Sequence, residues 1–117
     1  MVGVIKRKST EQKEQIRFVQ YVRTFMPDII IASIPNGAGA SASNRFKLVH
    51  EGLLAGMPDL ILLKRGGVLF LEFKRPDGRG KVSEEQQDVH ERLHQLGFEV
   101  RVVDRFDEAV LVLNDWR

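Results

Sequence analysis

The apolar positions of this chain change period several times, and each change marks an element. From Thr10 to about Met26 they recur at helical spacing, with Phe18 and Val22 one turn apart on the apolar face. This predicts a helix that Thr10 caps and Pro27 ends. Ile29 to Ile34 is a short apolar run and predicts a strand. The small residues of 35–43 read as a loop, and a second helix is expected over Asn44 to Leu54, broken by Gly56 and Pro58. Asp59–Lys64 and Val68–Lys74 read as two strands around Arg65-Gly66-Gly67, a hairpin signal. Residues 75–82 form a charged, glycine-bearing loop. Ser83-Glu84-Glu85-Gln86 has capping-box chemistry at the start of a helix. Val89, Leu93 and Leu96 carry that helix's apolar stripe, and Gly97 ends it. Phe98 to Val103 predicts a strand, and Asp104 is expected to cap a short helix over Phe106 to Leu113. The order α-β-α-β-β-α-β-α describes a mixed α/β domain over 10–117, preceded by a loose basic arm over 1–9.

Composition narrows the picture a little. The 117 residues are 43% hydrophobic and 29% charged, ordinary values for one globular domain. There are no cysteines, which removes disulfides, thiolate metal sites and cysteine nucleophiles and favours a reducing, cytoplasmic setting. No apolar run approaches the roughly 20 residues that span a bilayer, so no membrane role is expected. Lys6, Arg7 and Lys8 have no long apolar segment behind them, unlike a secretory signal. The net charge of +2 is too small to identify a nucleic-acid partner. The clusters at Lys6–Lys8 and at Arg75, Arg79 and Lys81 suit a solvated surface as well as a phosphate contact.

The hairpin holds the chemistry. With Gly66-Gly67 as the turn, Asp59 faces Lys74 and Ile61 faces Glu72. Alternation then places Asp59, Ile61, Val68, Phe70, Glu72 and Lys74 on one face, and Leu60, Leu62, Leu69, Leu71 and Phe73 on the other. Any even loop keeps Asp59 with Glu72 and Lys74; an odd loop or a bulge separates them. Two carboxylates so near an apolar core repel each other and call for a cation. Oxygen ligands suit Mg²⁺ or Mn²⁺ rather than zinc. A lysine beside such an ion can orient water or steady a phosphoryl transition state. On an arbitrary hairpin the same residues would be a surface ion pair with a solvated glutamate.

The full string Gly56-Met57-Pro58-Asp59 with Glu72-Phe73-Lys74 resembles the PD-(D/E)xK nuclease motif. With Ser83-Glu84-Glu85-Gln86, Leu93 and Gly97-Phe98-Glu99-Val100, the chain resembles the VRR-NUC (virus-type replication-repair nuclease) group of that superfamily. The similarity runs from about Glu11 to Val103. It implies a restriction-endonuclease-like mixed sheet flanked by helices. It implies hydrolysis of DNA phosphodiesters, with branched, flap or junction DNA in replication or repair as the expected substrate. Asp59, Glu72 and the Phe73 carbonyl would hold Mg²⁺ or Mn²⁺, and Lys74 would activate or position water. No organic cofactor is implied. The family places a further metal-binding glutamate on the first helix. Glu11 and Glu14 are the candidates, and Glu11 is nearer the middle of the apolar face; its alternative role is an early-helix carboxylate favoured by the macrodipole. Gln86 matches the family's glutamine after the lysine, while also being the third residue of the capping box. Asn36, Arg45, Lys47, Arg75, Arg79 and Lys81 are candidate DNA contacts. His50, His90 and His94 lack metal-ligand spacing and read as surface or half-buried residues. Small relatives pair as dimers, and a homodimer is expected, since one domain of this size offers little surface to grip a branched duplex. The alternative is a nucleic-acid-binding module without catalysis on the same fold.

Overall fold

The structure is a computed structural model and describes residues 10–75 and 82–117. The basic arm over 1–9, and Arg79 and Lys81, lie outside the described residues. The elements are α1 (Thr10–Phe25), β1 (Ile30–Ser33), α2 (Ala42–His50), β2 (Leu60–Lys64), β3 (Gly67–Phe73), α3 (Glu84–Gln95), β4 (Glu99–Val103) and α4 (Phe106–Trp116). Their order is the one the periodicity predicts. No helix among the described residues is long and apolar enough to cross a membrane.

The sheet has the order β1-β2-β3-β4. β1, β2 and β3 pair antiparallel in sequence, whereas β4 runs parallel to β3 because α3 crosses over between them. Leu60, Leu62, Leu69, Leu71 and Phe73 fill one face and join Phe18 and Val22 of α1 and Ala109, Val112 and Leu113 of α4 in the main core. Each such side chain contributes about 1.5–3 kcal/mol by leaving water. On the other face α3 buries Val89 beside a smaller apolar group that includes Phe70 and Val100.

Several boundaries differ from those the sequence suggests. The hairpin turns on Arg65-Gly66 instead of Gly66-Gly67, since Lys64 pairs with Gly67 and Leu60 with Leu71. Gly66 takes φ 72°, the left-handed conformation glycine tolerates. Gly67 stays in the ladder opposite Lys64, whose side chain passes over it 2.7 Å from where a Cβ would stand. Helix α2 starts earlier and stops sooner than expected. Ser41 is its N-cap, accepting from Asn44 N, and the chain leaves the helix at Glu51 and Gly52. It has no buried residue and leaves Phe46 68% exposed. Asp104 does not cap α4. Its carboxylate pairs with the Arg105 side chain at 2.9 and 3.1 Å, and Arg105 takes the N-cap position without a side-chain bond. Thr10 is already helical, so a cap for α1 would fall outside the described residues.

One glycine decides where α3 sits. Gly56 has φ 96°, and a Cβ there would stand 2.4 Å from the Glu85 carbonyl oxygen and 3.0 Å from Val89 Cγ2. The strand-leading turn and the start of α3 therefore meet backbone to backbone. Gly56→Ala combines a strained φ with a backbone clash and is expected to cost roughly 2–4 kcal/mol. Gly39→Ala, at φ 80° with open space around it, should cost only about 1–2 kcal/mol. Urea melts of the two variants check the difference.

Candidate active site

The polar end of the hairpin is built by the ladder itself. Continuing the β2–β3 register by one residue sets Asp59 opposite Glu72, two places from the Lys74 partnership expected from a Gly66-Gly67 turn. A shift of two residues preserves the face of every side chain, so the two carboxylates still meet. Asp59 is locked at this edge by both its backbone and its side chain. Its carbonyl accepts from Ile34 N at 2.8 Å, and its Oδ2 accepts from Phe73 N at 2.8 Å. Phe73 thus links the acidic edge to the core, where its ring packs 5.9 Å from that of Phe18.

Glu72 is only 2% exposed. Burial first, then its hydrogen bond to Asp59 and the Asp59 charge, lift its pKa from 4.5 to about 9. Lys74 acts in the opposite direction but is too weak to restore it, and Glu11 adds to the rise. In the metal-free protein at neutral pH Glu72 is therefore the protonated partner of the pair. A carboxyl held in this condition beside a second carboxylate releases its proton when a cation arrives.

Gln86 connects the parts. Its Oε1 accepts from Lys74 Nζ at 3.0 Å and from Ser83 N at 3.0 Å, and its Nε2 donates to Glu72 Oε1 at 3.1 Å. Ser83 Oγ completes the capping box by accepting from Gln86 N. The cap and the site contact are thus made by the same amide. Lys74 Nζ lies 4.0 Å from Glu72 Oε2, and Lys74 N donates to Val103 O at 2.8 Å, extending the β3–β4 ladder to the site.

The two glutamates on α1 separate cleanly. Glu14 Oε1 accepts from Phe106 N at 3.0 Å and ties α1 to α4. Glu11 instead lines a cleft of about 370 Å³ with Gln15, Ser33, Asn36 and Asp59. Asn36 is both a cleft residue and a turn residue, since its Oδ1 accepts from Ala38 N at 2.8 Å. Arg45 reaches back over the same loop, with Nη1 3.5 Å from where a Cβ on Gly37 would stand. Arg75 follows Lys74 directly and is half-buried. Lys47 is exposed on α2, and no contact among the described residues ties it to the carboxylates.

His90 is the residue the sequence reading placed wrongly. It is buried at 9% exposure, with Nε2 3.6 Å from Glu72 Oε1. Burial, then the nearby His94 and Lys74, lower its pKa, which favours the neutral imidazole. The available signal was its spacing, four residues after Gln86, which puts both side chains on one helix face. Among the described residues no three acidic or imidazole groups converge tightly enough to enclose an ion by themselves. Asp59 and Glu72, with Glu11 lining the same cleft as Asp59, are the oxygen groups that could hold a hydrated hard cation.

Comparisons with known proteins bear on the fold and the family. Two solved structures are similar over nearly the whole chain. One, a VRR_NUC domain protein, has a TM-score of 0.72 and 21% identity, covering 95% of this chain and 90% of its own. The other, a VRR_NUC domain, has a TM-score of 0.68 and 22% identity, covering 94% of this chain and 100% of its own. At such identities the likeness shows the fold. A search of curated proteins gives no match. The sequence profile of the VRR-NUC domain matches residues 4–106, and the chain accordingly belongs to the VRR-NUC family of nuclease-type domains.

Proposed function

We propose that this protein is a Mg²⁺- or Mn²⁺-dependent deoxyribonuclease, an endonuclease acting on branched, flap or junction DNA in replication or repair. The observation that carries the reading is Glu72. It is a buried carboxyl set against Asp59, and Gln86 joins it to Lys74. An arrangement of this cost is hard to account for as a surface ion pair.

Asp59 and Glu72, with Glu11 across the cleft and the Phe73 carbonyl, are the groups that would hold the ion. Mg²⁺ keeps several waters and takes one or two carboxylates plus substrate phosphate, which suits a donor set left open on the cleft side. The bound ion would supply Lewis-acid stabilisation of the phosphate and a more acidic water. Lys74 places an ammonium at the rim of this set, where it orients the attacking water and offsets charge growing on the phosphate. Both ends of the Gln86 amide are occupied by Lys74, Ser83 and Glu72. Its role is therefore to hold the base and the carboxylate in register.

Asn36, which lines the cleft with Asp59, and Arg45, Lys47, Arg75, Arg79 and Lys81 are the residues proposed to take backbone phosphates. A second copy of the chain would supply the other half of a grip on a branched duplex. The absence of cysteine suits a reducing cytoplasmic setting.

The test is cleavage of flap and four-way-junction DNA with Mg²⁺ or Mn²⁺, against chelator and against Asp59→Ala. Cleavage that needs the metal and vanishes in Asp59→Ala is the expected result. Cleavage persisting in Asp59→Ala rejects the assignment, and tight, metal-independent DNA binding without cleavage supports a binding module instead.

A further inference from the structure

Two side chains of α3 converge on one carboxylate oxygen. Gln86 Nε2 donates to Glu72 Oε1 at 3.1 Å, whereas His90 Nε2 lies 3.6 Å from the same atom, beyond hydrogen-bond reach. That nitrogen is buried and has no hydrogen-bond partner among the described residues. A buried polar atom left unpaired is costly, and an apolar side chain would fill the space under α3 without that cost. The opposite oxygen, Glu72 Oε2, faces Lys74 at 4.0 Å. The helix carrying His90 is held in place where Gly56 meets Glu85 and Val89, so only the two side chains need move.

We propose that His90 is a positioning residue for the metal-bound state: its Nε2–H closes on Oε1 of Glu72, so that α3 holds that oxygen through two donors and Oε2 is turned toward the cation. This rests on the reading of Asp59 and Glu72 as a divalent-cation site. A movement on the order of half an ångström brings His90 Nε2 within bonding distance. A carboxylate that binds an ion through one oxygen can accept a charge-assisted bond from the imidazole N–H on the other. Such outer partners fix the direction of a metal-binding group.

The experiment is Mn²⁺ titration of the full chain without DNA, by calorimetry and by the free-Mn²⁺ spin-resonance signal. His90→Leu removes the donor, and His90→Gln returns an N–H at nearly the reach of Nε2. His90→Leu should bind Mn²⁺ about 10–100-fold more weakly, with His90→Gln within roughly 3-fold of the natural protein. Equal affinity in His90→Leu, or a His90→Gln as weak as His90→Leu, overturns the inference while Asp59→Ala still abolishes binding. If the natural protein binds no Mn²⁺, or Asp59→Ala leaves binding unchanged, the site reading fails and takes this inference with it. Should His90→Leu not fold, imidazole ¹⁵N spectra of the natural protein decide the matter. Nε2 is expected to carry the proton, whose resonance moves downfield on adding Mg²⁺. An unprotonated Nε2, or a resonance that Mg²⁺ leaves in place, overturns it.

Discussion

Replacing Lys74 with alanine should slow metal-dependent DNA cleavage by about 10²–10⁴-fold, the range for losing a positioned acid–base group, and leave the fold standing. The backbone of Lys74 is already used, its N–H bound to Val103 O at 2.8 Å, and alanine keeps that bond. The ammonium has other work. It bonds Gln86 Oε1 and stands 4.0 Å from Glu72 Oε2. Without it Gln86 Oε1 still accepts from Ser83 N, so helix α3 stays capped and the melting temperature changes little. Lys74 also lowers the Glu72 pKa, so its loss should weaken metal binding, most clearly below pH 7. Lys74→Arg is not expected to restore the rate, because a planar, permanently charged fork neither fits the single Gln86 oxygen nor exchanges a proton. Single-turnover cleavage at saturating Mg²⁺ measures the effect. A Lys74→Ala protein cutting within about 3-fold of the natural rate, far from the range for a lost acid–base group, sinks the assigned role.

The second large effect is a gain in stability. Glu72→Gln should raise the stability of the metal-free protein at pH 8 by roughly 2 kcal/mol, about 5–10 °C in melting temperature for a domain of this length. The folded protein holds the Glu72 proton up to about pH 9, whereas a glutamate ordinarily releases it at 4.5. Between those values the native state binds more protons than the unfolded chain, so stability falls as pH rises. The contribution is fully present below about pH 4.5 and is lost as pH passes through about 9. Glutamine is neutral throughout and can donate to Asp59 while accepting from Gln86, which removes this part of the pH dependence. Mg²⁺ or Mn²⁺ should act in the opposite sense on the natural protein. The cation competes with the Glu72 proton, so its stabilising effect grows toward pH 9 and is missing in Glu72→Gln. Thermal melts at pH 6, 7, 8 and 9 with and without Mn²⁺ contain both results. A Glu72→Gln protein less stable than the natural one at pH 8 without metal would falsify the account of Glu72 as a strained, proton-holding group.

Both predictions depend on how far the site follows from residues adjacent in the chain. The alternation along β2 and β3 assigns every side chain to a face, and a period of two tolerates the actual turn: moving it from Gly66-Gly67 to Arg65-Gly66 shifts the register by two and flips nothing. For that reason Asp59, Glu72 and Lys74 share an edge in either register, and the string around them was enough to recognise the family. The partner directly opposite Asp59 was not accessible in this way. It depends on which glycine takes the left-handed position, and that glycine is Gly66. The start of α2 and the cap of α4 escaped for a similar reason, because Ser41 caps one and Arg105 draws Asp104 away from the other.

Local order and chemistry therefore reside in short-range pattern: strand alternation, the Ser83–Gln86 box and the apolar stripes of α1 and α3 act through neighbours along the chain. Glu11 facing the cleft while Glu14 bonds Phe106, Gln86 serving cap and site together, and His90 arriving beneath Glu72 are of another kind. They require α3 to rest on the Gly56 turn and α1 to lie across the sheet. Those distances are set by packing between segments far apart in the chain, to which a residue's own neighbours carry no information.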